Sequence, residues 1–252
     1  LDLDAKNLNQ RYILALLAFS LNWWAWRGDQ DGNTESIYAN EGNSAWLSNE
    51  DECSWYNVTC MGGTVTSLQL NNFSLMGGLP PEISRLPFLA GIQLKGNLLH
   101  GTIPPELRFL PFLTTLDIAQ NNFSGEILRS VGGIKMLELL ALSGNGGLNG
   151  TLPSSLYELS NLRMLYLDGN DFSGSISQEV GQLILLQQFT ISDNPITGVI
   201  PSTLGLCKEL ELLLIDNTDI QGTIPEEFCQ LKNSSRQDYD ALYIKADCYS
   251  DY

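Results

Sequence analysis

At 252 residues and 43% apolar content, the chain can bury a continuous core, so disorder is not its default state. Its 29 acidic against 13 basic residues give a formal charge of -16, which repels phosphate backbones and anionic lipid headgroups and argues against nucleic acid as a partner. Basic peptides, cationic surfaces and divalent ions stay open as ligands.

Near the start, Arg11 to Phe19 reads as a helix. Its apolar run, Tyr12 to Phe19, is too short to span a bilayer even when extended to Trp26. Asp2 and Asp4 precede it and no small-residue cleavage site follows, so the chain reads as a mature one whose export signal has been removed. Nothing after Tyr239 is apolar for long enough to insert in a membrane, and any tether is expected outside this chain. The segment from Asn22 to Trp46 carries Trp23, Trp24, Trp26 and Trp46. Indole faces stack on sugars and cations, which makes Trp23, Trp24 and Trp26 a secondary candidate surface, whereas Trp46 and Trp55 are expected to pack the first repeat.

Five cysteines, Cys53, Cys60, Cys207, Cys229 and Cys248, leave one thiol over however two bridges form. Asn-x-Ser/Thr sequons stand at Asn57, Asn72, Asn122, Asn149 and Asn233, none with a central proline, and are the candidate glycosylation sites. Together with cysteines gathered near the chain ends they favour the secretory route and an extracellular, cell-surface or cell-wall location.

The middle of the chain repeats. Gly77, Gly101, Gly125, Gly150, Gly174, Gly198 and Gly222 recur at intervals of 24, 24, 25, 24, 24 and 24. Two residues after each comes Leu or Ile, then proline at Pro80, Pro104, Pro153, Pro201 and Pro225, with Leu128 and Ser177 in its place in repeats three and five. Before each glycine lies L-x-x-L-x-L-x-x-N, as in Leu162-Arg-Met-Leu165-Tyr-Leu167-Asp-Gly-Asn170. Alternation along these strands turns residues such as Leu165 and Leu167 inward and their neighbours outward. Asn97, Asn121, Asn145, Asn170 and Asn194 sit where the chain turns off the strand, positioned to satisfy buried backbone groups. Phe73 and Thr218 replace asparagine in the end repeats, and Gly146 is the insertion that lengthens the fourth.

The pattern N-x-L-x-G-x-I-P, seen as Asn97-Leu-Leu-His-Gly-Thr-Ile103-Pro104, resembles the 24-residue plant-type leucine-rich repeats of receptor-like kinases, receptor-like proteins and polygalacturonase inhibitors. The resemblance covers about Val65 to Leu231. It implies an α/β solenoid: a right-handed superhelix of seven repeats with a concave parallel β-sheet, a second short sheet, 3₁₀ segments on the convex side and disulfide-bonded caps. Cys53-Ser-Trp-Tyr-Asn-Val-Thr-Cys60 is similar to the N-terminal cap of these proteins, and the Trp-rich stretch before it is closer to algal, diatom-like members. The caps imply bridges Cys53–Cys60 and Cys229–Cys248. On this reading residues 1–64 form the N-terminal cap, 65–231 the repeats and 232–252 the C-terminal cap. Cys207 takes the place held by Leu110, Leu159 and Leu183 elsewhere and is expected to be a buried small hydrophobe.

Chemistry is sparse. His100 is the one histidine, placed in a rim loop, with no second histidine or free thiolate cluster for a metal site, so no metal and no cofactor is expected. Asp117 and Asp168 lie two repeats apart in different columns, about 10 Å by strand spacing, and do not make a glycosidase pair. A non-enzymatic chain is expected.

The outward positions form a grid. One column runs Ser67, Gly91, Thr115, Leu139, Met164, Gln188, Leu212; the next Gln69, Gln93, Asp117, Ala141, Tyr166, Thr190, Leu214; the third Asn71, Lys95, Ala119, Ser143, Asp168, Ser192, Asp216. Polar repeats one to three give way to Leu139, Ala141, Met164 and Tyr166, and later to Leu212 and Leu214, flanked by Asp168 and Asp216. Apolar side chains exposed on such a face mark a partner site. The expected function is recognition of a protein, peptide or polysaccharide on the concave face. Alternatives are a structural or adhesive subunit of an extracellular assembly, an inhibitor of a secreted wall-degrading enzyme, and ice binding.

Overall fold

The computed structural model describes residues 5–22, 46–227 and 243–245. A helix, α1 (Ala5–Ser20), leads into β1 (Val58–Met61), β2 (Thr64–Gln69), β3 (Met76–Gly77), β4 (Gly91–Gln93), β5 (Leu98–Gly101), β6 (Thr115–Asp117), β7 (Asn122–Glu126) and β8 (Leu139–Ala141). There follow β9 (Gly147–Thr151), β10 (Met164–Tyr166), β11 (Asp171–Ser175), β12 (Gln188–Thr190), β13 (Ile196–Gly198), β14 (Leu212–Leu214), β15 (Asp219–Ile220) and β16 (Tyr243–Lys245).

Two sheets result. Nine strands make the longer one, in the order β1-β2-β4-β6-β8-β10-β12-β14-β16, and the seven odd strands from β15 to β3 make the second. All pairs are parallel except β1 with β2. Among the described residues, six repeats return through a five-residue 3₁₀ segment, such as Pro105–Phe109 or Ser154–Glu158. Proline sets the extended entry to four of these segments, at Pro80, Pro104, Pro153 and Pro201. Where Ser177 replaces it, the serine side chain accepts from the Glu179 amide at 3.2 Å and caps the segment instead.

The core is the stack of inward side chains, among them Ile92, Leu94, Leu165, Leu167, Phe189 and Ile191, all fully buried. Beside it runs the asparagine ladder. Asn121 Nδ2 donates to the carbonyls of Leu94, Ile118 and Ala119, and its Oδ1 accepts from the Leu99 amide. Asn97, Asn145 and Asn194 repeat the arrangement. Asn170 departs from it: the extra residue Gly146 displaces the usual donor, and Asn170 Oδ1 accepts from the Asn145 amide at 3.3 Å. At the last rung Thr218 Oγ1 donates to Ile215 O and accepts from Ile220 N, a shortened version of the same job.

The N-terminal end is closed by α1, whose Ile13, Leu14 and Leu17 are buried, and by the Trp46–Trp55 pair, with ring centroids 5.5 Å apart. Both indoles are buried, as expected of residues that pack the first repeat. The helix spans more than Arg11 to Phe19, because buried Gln10 also works: it donates to Glu52 at 2.9 Å and accepts from the Val65 amide, tying helix, turn and first long strand together. Cys53 and Cys60 form the expected bridge. The expected Cys229–Cys248 bridge lies outside the described residues, as do Asn233 and Trp23, Trp24 and Trp26. At the far end β16 adds to β14, with Leu212, Leu213 and Leu214 opposite Tyr243, Ile244 and Lys245.

Cys207 is fully buried, and burial pushes its thiol up to about 11. Iodoacetamide at mildly alkaline pH is therefore expected to leave Cys207 unmodified in the native protein and to label it once the chain is unfolded, as read by mass spectrometry. Labelling at equal rates in both states would show that the site is open.

Candidate functional site

Strand register fixes the grid. Ser67, Gly91, Thr115, Leu139, Met164, Gln188 and Leu212 are successive partners across the long sheet, and Gln69, Gln93, Asp117, Ala141, Tyr166, Thr190 and Leu214 form the adjacent column. The pleat sends both columns to the outward face while Leu140, Leu165, Phe189 and Leu213 point into the core.

Leu139, Met164 and Tyr166 form a half-buried shelf, with Leu212 and Leu214 equally half-buried two repeats on. Ala141 differs from the expected exposed position. It is 5% exposed, because a single methyl set between Asp117 and Tyr166 in its column is overhung by longer neighbours. The shelf is thus a floor with a shallow step at Ala141.

A polar seam borders this floor. The Asp168 carboxylate accepts from the hydroxyls of Ser143 and Thr190 and from the Ser192 amide, so residues of the repeats on either side hold it. Ser192 Oγ in turn donates to Asp216 at 2.6 Å. The third column therefore alternates hydroxyl and carboxylate, Ser143, Asp168, Ser192, Asp216, and each hydroxyl donates to the acid of the next repeat. Tyr166 OH donates to Gln188 Oε1, crossing from one column to the other. Burial raises the Tyr166 phenol, and the charge on Asp168 adds to the shift. Ser143, Gln188, Thr190 and Ser192 join the candidate face although apolar patterning does not pick them out; the Ser-Asp-Ser-Asp alternation signals Ser143 and Ser192 alone.

Elsewhere on the same face, burial raises the Asp117 carboxyl, against the Ala119 amide and Lys95, which lower it. His100 lies exposed in β5, a strand of the second sheet rather than a loop. Asn72 and Asn122 are exposed and Asn57 and Asn149 half-buried, with Asn149 Nδ2 donating to Gly147 O at 3.1 Å. Among the described residues no group of His, Cys, Asp and Glu is arranged to hold a metal ion, and no helix is long and apolar enough to cross a membrane.

The Leucine Rich Repeat family pattern matches residues 112–134, 161–183 and 185–207. One chain of the BIR3–SERK2 complex of Arabidopsis thaliana is 30% identical, with 73% of this chain and 94% of that one covered and a TM-score of 0.57. This chain is a plant-type leucine-rich-repeat protein. The receptor-like kinase TMK4 of Arabidopsis thaliana shares 43% identity over 51 residues, 20% of this chain and 6% of the kinase. A plant ice-binding protein superimposes with a TM-score of 0.74 at 26% identity, over 86% of this chain and 66% of that one. The plant peptide hormone receptor RGFR1, solved in complex with RGF2, gives a TM-score of 0.63 at 29% identity, over 77% of this chain and 37% of the receptor. This leucine-rich-repeat protein thus spans a small part of the kinase and about a third of the peptide receptor.

Proposed function

We infer that the protein is an extracellular recognition module whose concave sheet binds an extended peptide across β8, β10, β12 and β14. The observation that carries this reading is the register-aligned floor of Leu139, Met164 and Tyr166 beside the Asp168 seam: apolar area next to fixed, directional acceptors. Such a floor gives affinity by burying apolar surface, and the seam gives orientation. An extended peptide crossing parallel strands meets one outward column position about every 4.8 Å, so three of its residues, at about 3.3 Å each, span about two repeats. The likeness to a peptide hormone receptor supports the same class of ligand. Asp168 and Asp216 beside the floor are engaged by hydroxyls of neighbouring repeats, which supports a binding rather than an enzymatic reading.

Likeness to an ice-binding protein raises a second reading, for which the second sheet is the relevant face. Thr102, Thr151, Ser175 and Thr223 follow the repeat glycines as exposed short hydroxyls. Exposed Glu126 and Val199 interrupt that rank, and the sequons Asn122 and Asn149 stand on the same strands. The concave floor is interrupted too, by Gln188 and Thr190 of β12, but its outward positions carry no sequon.

The test is retention. Glycosylated protein and its Tyr166→Ala/Leu214→Asp variant are immobilised, incubated with the extracellular peptide fraction and wall polysaccharide of the source, and the bound material identified. A peptide held by the wild type and weakened at least about tenfold in the variant is expected, from loss of an aromatic anchor and charge placed in an apolar floor. Equal retention by both proteins would sink the concave-face reading, and retention of polysaccharide alone would replace the ligand class.

A further inference from the structure

The four sequons within the described residues share one side of the molecule. Asn57 O accepts from Gln69, the last residue of β2; the Asn72 amide donates to Lys95, just past β4; Asn122 and Asn149 lie in the second sheet. All four therefore lie on the side of the C-terminal ends of the long-sheet strands. Because those strands are parallel and in register, their N-terminal ends form the opposite edge, and that edge is composed differently. Phe88, Phe112 and Met136 each stand three residues before a strand, at the same place in successive repeats, and are 45%, 49% and 46% exposed. The Phe88 and Phe112 rings stack at 5.7 Å with 8° between planes.

Charge gathers there too. Arg85, Arg108 and Arg129 are exposed on the adjoining 3₁₀ segments and form no ion pair with any described residue, although the whole chain carries -16. Arg108 lies over the exposed Phe109 ring, its Cζ 4.5 Å from the centroid. Gly133 in the next repeat leaves room for it: a β-carbon there would come within 2.8 Å of Arg108 Cβ. Phe, Met and Arg are the residues enriched at the centres of protein interfaces, where Lys and the acids are depleted. Arginines that form no ion pair among the described residues, even with Glu82 and Glu106 on the same 3₁₀ segments, favour an acidic counterpart.

We propose that the Phe88–Phe112–Met136 edge, with Arg85 and Arg108, is a second docking surface, separate from the concave face, for an acidic protein segment bearing apolar anchors. The four sequons within the described residues lie on the other side, so glycans attached to them leave this edge open. The surface works independently of the concave reading, and a variant of each face separates the two.

The test selects a displayed library of random peptides on immobilised wild type. Three immobilised proteins are then compared: Phe88→Ser/Phe112→Ser, Arg85→Glu/Arg108→Glu, and the concave Tyr166→Ala. All substituted edge residues are exposed, so unchanged thermal unfolding is the fold control. Expected is enrichment of acidic sequences with aromatic or aliphatic residues, bound at least about tenfold more weakly by either edge variant, undiminished by Tyr166→Ala, and weakening as salt is raised. Three outcomes would overturn the proposal: no such enrichment, equal binding by the edge variants, or loss with Tyr166→Ala alone. Two parallel measurements also count against it. Co-sedimentation with phosphatidylserine vesicles that the edge variants abolish would make the occupant a membrane, and a wild-type dimer dissociated by them would make it a second copy of the chain.

Discussion

Asn121→Leu is expected to lower the unfolding free energy by about 3 kcal/mol, read from urea denaturation. The side chain is 4% exposed and makes four hydrogen bonds to backbone groups of two repeats. Its carbonyl partners have other donors: Leu94 O also accepts from Asn97 and Ile118 O from Asn145, so they lose one of two bonds. The Leu99 amide, by contrast, has no second acceptor among the described bonds, and leucine offers none. A buried orphan N–H and three weakened carbonyls set the size of the loss, and the apolar gain of leucine offsets little of it because the position faces backbone. A solenoid couples only neighbours, so the transition should also broaden as repeats on either side of the broken rung unfold separately. A loss below about 1 kcal/mol with an unchanged slope would mean that water or a shifted turn replaces the amide.

The second large effect is at the junction of cap and first repeat. Gly77 has φ +101, and a β-carbon there would lie 2.0 Å from the Ser20 carbonyl oxygen. The end of α1 is seated on β3, where the Met76 amide donates to Leu21 O at 3.2 Å. Gly77→Ala must both hold a left-handed backbone and push the helix end away, for an expected loss of about 3 kcal/mol or more. Gly101→Ala is the control: φ is +89 but the added carbon meets open space, so only the backbone strain of about 1–2 kcal/mol remains. Equal melting temperatures for the two variants would show that close approach of the helix contributes nothing.

The parts of this structure that repeat were legible before any coordinates. A period of 24 fixes where strands fall, and strict alternation then tells Leu165 from Tyr166, one buried and one facing out. The asparagine column and the buried place of Cys207 follow from the same register. What resisted was whatever depends on the height of a neighbour. Ala141 is apolar and outward, and only the lengths of Asp117 and Tyr166 on either side make it buried. Phe88 and Leu89 are adjacent and equally apolar, yet one is 45% exposed and the other fully buried, because the chain turns between the 3₁₀ segment and the strand. The repeat register separates them, because Leu89 fills the first leucine place of L-x-x-L-x-L, but apolar alternation alone does not. The hydroxyl–carboxylate seam was visible as alternation but not as bonding, since that needs the spacing between repeats.

The extra residue in the fourth repeat has a wider consequence. Met164 and Leu139 pair without a shift although 25 residues separate them, because Gly146, with φ +60, takes up the added length beyond the strand, where the Asn170 acceptor changes partner. Variation in repeat length is thus discharged on the flank, and the outward columns keep a common coordinate frame. Repeats can accordingly be lengthened, exchanged or inserted as cassettes, with the three outward residues of each strand travelling as one unit of specificity.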